Sequence, residues 1–281
     1  MFSPFRRLAK LMGWTAHSTY LLAAFLLVVG CILYFWWPLA QQVLALVNWH
    51  GPWWTYMDWL LIGDFAAMTL LILAHADLKT DLLIVLVATV GGLVIEAWGT
   101  QTNLWFYYTA ERPPLWIVPA WPIATLSIDR LTRFLNWAVA QLQRRAFPAW
   151  PGLPILFKYL YGAIFTGFYA LMLVFVAPTL GKSMTVGALL LVTVLILTPT
   201  DARTAVLVFV AGAGLGYFLE LWGTTRQCWT YYTYQTPPLF AVLAHGMAAV
   251  TFWRMGLLLK RLWGKLSRLH FSRDRGQAPG I

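Results

Sequence analysis

Charge is the scarcest ingredient of this 281-residue sequence: Asp, Glu, Lys and Arg together make up 11%, with 10 acidic residues against 20 basic ones. A soluble domain carries about 25% charged residues, so a water-exposed surface of ordinary polarity is excluded and lipid is the expected solvent. Cysteine is nearly absent. Cys31 lies inside an apolar run and Cys228 in a loop, which gives neither a disulfide framework nor a metal-ligand spacing and argues against zinc and iron–sulfur chemistry. No metal and no cofactor is expected. The chain also lacks any polar stretch long enough for a separate soluble domain, and without a separate basic domain a nucleic-acid partner is not expected.

What is present is apolar. Hydrophobic residues make up 60% of the chain, and mean hydropathy is +0.67. Apolar runs near 16–38, 59–76, 82–98, 116–137, 155–177, 184–199, 204–222 and 239–259 predict about eight spans, since about 20 apolar residues cross a hydrocarbon core of about 30 Å. The expected fold is an all-α, polytopic integral membrane bundle. The basic start around Arg6 and Arg7 is followed by an apolar run without a small-residue cleavage site, which reads as a retained first helix. With a cytoplasmic N-terminus, the inner segments hold Lys10, Lys79, Arg130, Arg133, Arg144, Arg145, Lys158, Arg203, Arg254 and the tail from Lys260 to Arg275, while the outer loops keep Arg112, Lys182 and Arg226. That asymmetry follows the positive-inside rule and predicts both termini in the cytoplasm of a bacterium, with the chain in its inner membrane. It also accounts for the net charge of +10 through anionic headgroups.

The chain repeats itself. From Asp77 and from Asp201 the sequence aligns without gaps at a constant offset of 124 residues. The alignment pairs Thr80 with Thr204, Gly92 with Gly216, Glu96 with Glu220, Trp98 with Trp222, Trp105 with Trp229, Tyr107-Tyr108 with Tyr231-Tyr232 and Arg130 with Arg254. An even number of spans per unit predicts two parallel four-helix repeats related by an axis along the membrane normal. The expected organisation is a first repeat over 1–146, a second over 147–259 and a basic cytoplasmic tail over 260–281.

Glu96 and Glu220 lie inside apolar runs, at equal expected depth in the outer third of the bilayer. An ionisable residue there faces the bundle interior or a wet cavity and is a functional candidate by default. Each also stands one turn before a Trp-Gly-Thr sequence, so a purely structural role, accepting hydrogen bonds from indole, hydroxyl or loop amides, is the open alternative. Asp64 and His245 break the repeat, with Ala188 and Trp121 at their counterpart positions. The four residues are expected to form one polar layer in which a desolvated carboxyl serves as general acid. Above it the loops WGTxxxxWxYYT supply Trp98, Trp105, Tyr107, Tyr108, Trp222, Trp229, Tyr231 and Tyr232, either as interfacial anchors or as a pocket whose ring faces stabilise a cation. Gly99 and Gly223 are expected to end their helices, and Pro113-Pro114 and Pro237-Pro238 to lead into the next ones. At the inner face Lys79, Arg130, Arg203 and Arg254 either grip a lipid phosphate or cap helices and reach the headgroups.

The run EAWGTQTNLWFYYT from Glu96, followed by PPLWIVP, resembles the membrane-embedded carotenoid-biosynthesis proteins of the carotenoid hydratase type, over about 35 residues. The second copy departs from it with Arg226 and Leu243. A looser similarity is to transmembrane terpene and lycopene cyclases, although Pro119-Ala120-Trp121 stands where those have Pro-Glu-Glu. The resemblance implies an enzyme that protonates an isoprenoid alkene, with Glu96 or Glu220 as acid and water or an internal alkene quenching the cation. A non-enzymatic lipid- or pigment-binding assembly subunit and a small transporter are the other classes kept open, with a membrane-protein partner or a second copy of the chain as possible associates.

Overall fold

The computed structural model describes residues 7, 9–10, 12–146, 152–197 and 201–275; Arg6, the boundary at 146/147 and the tail residues 276–281 lie outside them. Nine α-helices are formed among the described residues: α1 (Ala16–Phe35), α2 (Trp37–Ala45), α3 (Trp59–Leu73), α4 (Leu78–Thr102), α5 (Ala120–Ala146), α6 (Leu153–Val176), α7 (Ser183–Leu197), α8 (Ala202–Thr225) and α9 (Leu239–Arg275). Five of them, α1, α4, α6, α8 and α9, are long and apolar enough to cross a membrane. Helices α3 and α7 are apolar but have 15 residues each, a rise of about 22 Å. Helix α5 is long but carries Asp129, Arg130 and Arg133. The expected first span, 16–38, overruns α1 by three residues: Trp36 ends that helix, and Pro38 stands in the first turn of α2, where a missing amide hydrogen costs nothing.

The middle of the bundle is α4, α5, α8 and α9, with α1 and α3 on one flank and α6 and α7 on the other. The short helices bridge: α3 packs on both α5 and α8, and α7 on both α9 and α4. Large side chains on the flanking helices, such as Leu27, Leu70, Val174, Leu190 and Val194, are exposed. Apolar exposure on this scale suits lipid contact and would be a liability in water.

Local chemistry explains the helix starts. Asp77 caps α4 by accepting from the Lys79 amide and Asp201 caps α8 by accepting from the Arg203 and Thr204 amides, with the Thr80 and Thr204 hydroxyls on the same carboxylates. The repeated Asp-x-Lys/Arg-Thr element is therefore a capping motif. At the same end, Thr15 and Ser18 form a capping box for α1, and the Ser18 hydroxyl donates to the Leu73 carbonyl at 2.7 Å, tying α1 to the end of α3.

The helix ends differ from the sequence expectation. Helices α4 and α8 do not stop at Gly99 and Gly223 but continue to Thr102 and Thr225. The glycines are needed for another reason: a methyl group on Gly99 would collide with the Trp105 ring, and one on Gly223 with the Trp229 ring. Each helix is followed by a turn with a left-handed residue, Asn103 (φ 63°) and Gln227 (φ 55°), and then a three-residue strand, β1 (Trp105–Tyr107) and β2 (Trp229–Tyr231). The strands pair antiparallel, Trp105 opposite Tyr231, Phe106 opposite Thr230 and Tyr107 opposite Trp229. The Tyr108 amide donates to the Cys228 carbonyl at 3.2 Å and the Tyr232 amide to Leu104 at 3.0 Å. This pairing maps onto itself when the segments are exchanged at the 124-residue offset. Pro238 does lead directly into α9, whereas turns occupy the residues between Pro114 and Ala120.

Candidate functional site: a cavity under the paired strands

A cavity of about 700 Å³ lies in the bundle, walled largely by aliphatic and aromatic side chains from both halves. Asp64, Glu96, Glu220 and His245 all line it, together with Trp98, Trp105, Tyr107, Trp222, Trp229 and Tyr231. The two remaining aromatic candidates do not. Tyr108 is exposed, and the Tyr232 hydroxyl donates to the Phe175 carbonyl at 2.7 Å.

Each glutamate is the centre of a hydrogen-bonded knot built by its own helix and the strand after it. Glu96 Oε2 accepts from the Trp105 indole at 3.0 Å and the Tyr107 hydroxyl at 2.8 Å. Its Oε1 accepts from the Trp121 indole at 3.1 Å. In the other half Glu220 Oε2 accepts from the Trp229 indole at 2.9 Å and Oε1 from the Tyr231 hydroxyl at 2.8 Å. The third partner differs: His245 Nε2 stands 2.9 Å from Glu220 Oε1. Both glutamates are buried, at 4% and 3% exposure, and three partners each leave neither carboxyl oxygen without a hydrogen-bonding neighbour. Across the strand pair Trp105 faces Tyr231 at 5.8 Å between ring centroids and Tyr107 faces Trp229 at 6.0 Å, so the knots share one aromatic roof.

Trp121 and His245 stack at 5.7 Å and an interplanar angle of 20°. They occupy equivalent positions on α5 and α9, and the residue beneath each is a glycine: a methyl on Gly92 would strike Trp121 and one on Gly216 would strike His245. From the sequence Trp121 is the counterpart of His245 and part of Pro119-Ala120-Trp121; in the structure its indole is the third donor of the Glu96 knot. Asp64 is chemically unlike the glutamates. Its Oδ2 is buried and has no hydrogen-bond partner.

Two further pairs fasten the roof to the bundle. Trp98 donates to the Thr185 hydroxyl at 3.1 Å, and Lys182 Nζ to the Thr102 carbonyl at 3.0 Å. At the related positions of the other half, Trp222 and Arg226 Nε both donate to Asp58 Oδ2 at 2.9 Å. Burial pushes the Asp58 carboxyl up, but the Arg226 side chain, the Leu61 amide and the Trp222 indole together hold it below the usual carboxylate range. Asp58 was not singled out from the sequence, because its partners lie more than 160 residues away.

Of the four basic residues expected either to grip a phosphate or to cap helices and reach the headgroups, three hold separate protein partners, although Arg203 Nε and Arg254 Nε and Nη1 are buried without one. Arg130 is buried and makes a two-pronged pair with Asp81 at 2.9 and 2.7 Å, while also reaching Asp129, the Ala74 carbonyl and the Ile72 carbonyl. Arg254 is 2% exposed and donates to the Tyr161 hydroxyl at 3.1 Å and the Ile196 carbonyl at 3.3 Å. Arg203 donates to the Asn136 carbonyl at 3.1 Å, and the Lys79 side chain is exposed. Arg133 pairs with Asp129 at 2.8 Å, four residues apart on α5 as the spacing predicts. Among the described residues no three His, Cys, Asp or Glu side chains gather as a metal site requires. No protein family matches the chain, and neither a curated protein nor a solved structure matches it.

Proposed function

We propose that the chain is an integral membrane enzyme that takes a long apolar, isoprenoid-like lipid into the central cavity and modifies it by protonating an alkene, as a hydratase or cyclase does. The observation that carries this reading is the unpartnered carboxyl oxygen of Asp64, in an apolar cavity that also holds the Glu220–His245 pair. An oxygen free of any donor can carry a proton and release it without giving up a hydrogen bond. The glutamate oxygens already have partners, so protonating one disturbs a knot. Asp64 gives its proton to one alkene carbon, the C=C electron pair becomes the new C–H bond, and the neighbouring carbon becomes cationic. The faces of the cavity's Trp and Tyr rings stabilise that cation. Water adds to it and loses a proton to the Asp64 carboxylate, directly or through His245, so that alkene plus water gives an alcohol. In the cyclase form an internal alkene adds in place of water, and the resulting cation returns a proton from a neighbouring carbon to the Asp64 carboxylate, leaving a new C=C bond.

The resemblance of the Glu96–Pro119 region to carotenoid hydratase-type proteins supports the substrate class, and the size and apolarity of the cavity agree with it. The same reading takes α1, α3, α4, α5, α6, α7, α8 and α9 as eight crossings in two parallel four-helix repeats, with the strand end outside and the termini in the cytoplasm. The matched knots, turns and strand register at the 124-residue offset support this, as does the concentration of basic residues at the other end. Labelling of Gln101→Cys and Arg226→Cys from outside intact cells, in a background lacking Cys31 and Cys228, tests the orientation.

A second reading, a lipid- or pigment-binding assembly subunit, is favoured by one observation: both oxygens of each glutamate have partners, and the glutamates can serve as roof fasteners alone. Isotope labelling separates the two. Protein in isoprenoid-containing liposomes in D₂O should place one solvent deuterium on a chain carbon of the hydrated product, and Asp64→Asn should abolish this in a folded protein. Recovery of a bound polyisoprenoid with no deuterium incorporated would favour the binding subunit, and recovery of bulk phospholipid alone would remove both.

A further inference from the structure

A second, smaller cavity of about 270 Å³ adjoins the first, on the side away from the strands. Val87, Thr125, Ile128, Ala249 and Phe252 wall both cavities, so the two spaces meet at that ring of apolar side chains. The walls of the smaller one come from matching positions in both halves, Thr80 with Thr204, Ile128 with Phe252 and Asn136 with Lys260, which sets it between the two units. The polar character at its far end is unequal: Thr132, Arg133 and Asn136 come from α5 and Lys260 from α9.

We infer that this end holds the phosphate group of a single-chain isoprenoid lipid whose tail passes Phe252 into the large cavity. Three observations carry the assignment. First, Arg133 is paired on one side only, with Asp129, and its side chain is 46% exposed, so its remaining donors can turn to a ligand. A guanidinium suits a phosphate's oxygens in a two-pronged geometry. Second, the Thr132 hydroxyl is buried and has no partner, an unusual condition for a buried polar group; an anionic oxygen would satisfy it. Third, local charges do not cancel. Of the charged side chains that line this cavity, Arg133 and Lys260 face Asp129 alone, and the neighbouring Arg130 and Asp81 are paired with each other outside it. One positive charge is left over, and Asp129 is the single carboxylate a ligand phosphate would have to displace from Arg133.

The dimensions agree with one ligand spanning both spaces. The interval from Thr80, on the wall of the small cavity, to Glu96, on that of the large one, rises about 24 Å along α4, most of the hydrocarbon thickness of about 30 Å. A tail held this way presents its end distant from the phosphate to Asp64, Glu220 and His245, so selection by headgroup and chemistry on the tail would be separate tasks of separate residues. The inference rests on the proposed use of the large cavity for an isoprenoid tail.

The full chain in phosphatidylcholine nanodiscs, titrated with farnesyl monophosphate, farnesol, phosphatidic acid and inorganic phosphate and read by native mass spectrometry, tests it. Farnesyl monophosphate should bind at least tenfold tighter than farnesol, and Arg133→Gln combined with Lys260→Gln should erase that preference while farnesol binding persists. Thr132→Val, a near-isosteric change, should reduce the preference severalfold without altering thermal stability, so the result does not depend on the double variant folding well. Equal affinity for inorganic phosphate would make this a soluble-anion site, and equal affinity for phosphatidic acid a bulk headgroup site; either overturns the inference. Equal binding of farnesol and farnesyl monophosphate overturns the headgroup site and leaves the large-cavity reading standing. Failure of both to bind overturns that reading as well.

Discussion

The knots around Glu96 and Glu220 are built from the same parts, a Trp and a Tyr from the following strand and a ring from a neighbouring helix seated on a glycine, and they differ in one ring. Trp121 can only donate a hydrogen bond, whereas His245 can donate, accept and change charge. The first half also keeps a buried ion pair, Arg130 with Asp81, where the second has Arg254 opposite Ala205. On the proposed reading the first half holds and the second moves a proton, with Asp64 lent to the shared cavity from the first. The two knots are otherwise matched fasteners, and the Trp121/His245 difference is the one that sets them apart.

The largest expected effect tests the holding side. Asp81→Ala leaves the Arg130 guanidinium, 4% exposed, without its two-pronged partner, and breaking a buried pair in this way costs about 3–5 kcal/mol. Thermal unfolding in detergent should show the loss, together with a fall in the yield of monodisperse protein. Full retention of stability would mean that Asp129 alone can hold Arg130.

Glutamine in place of each glutamate sharpens the comparison directly. At Glu96 every partner is a donor, so the amide nitrogen must face an N–H or O–H, and Glu96→Gln should cost about 1–3 kcal/mol. At Glu220 the new amide can donate to a neutral His245 nitrogen, so Glu220→Gln should unfold at a temperature closer to that of the unaltered chain and lose turnover instead. Equal losses of stability, with no difference in deuterium incorporation, would reduce both knots to fasteners.

Replacing the one differing ring gives a smaller structural effect. In His245→Trp the indole can donate to Glu220 as Trp121 does to Glu96, above a glycine in either half, so the fold should be kept at a cost near the lower end of the ~1–3 kcal/mol of overpacking. Deuterium transfer should drop. A variant as active as the parent would remove His245 from the chemistry.

The parts of this arrangement that could be read in the sequence are those written locally or repeated: the apolar helices, the Asp caps, the paired glutamates and the asymmetry at Asp64 and His245. The rest depends on partners remote in the chain. Asp81 looks like an ordinary first-turn acid until Arg130, 49 residues on, is placed against it. Gly99 looks like a helix stop because the Trp105 ring that needs its bare Cα returns only after the turn. The strands escaped notice because three residues make no alternating pattern and each finds its partner in the other half.

The smallest effect concerns the roof, where the halves again differ in kind. Lys182 holds the Thr102 carbonyl, a contact between a lysine and a backbone group, whereas Arg226 holds the Asp58 carboxylate. Only the second should respond to mild acid. The folded Asp58 carboxyl lies below its usual range, so its contribution to stability is fully present above the unfolded value of about 4 and is lost as pH falls through the lower, folded value. Arg226 is more than half exposed, at 53%, and solvent screens the pair, so the contribution should stay below about 1 kcal/mol. Unfolding temperatures measured from pH 6 down to pH 3 should therefore fall slightly more for the parent chain than for Arg226→Gln, while Lys182→Gln should run parallel to the parent. A steeper fall in the Lys182 variant than in the parent would mean that the acid-sensitive fastening lies elsewhere in the roof.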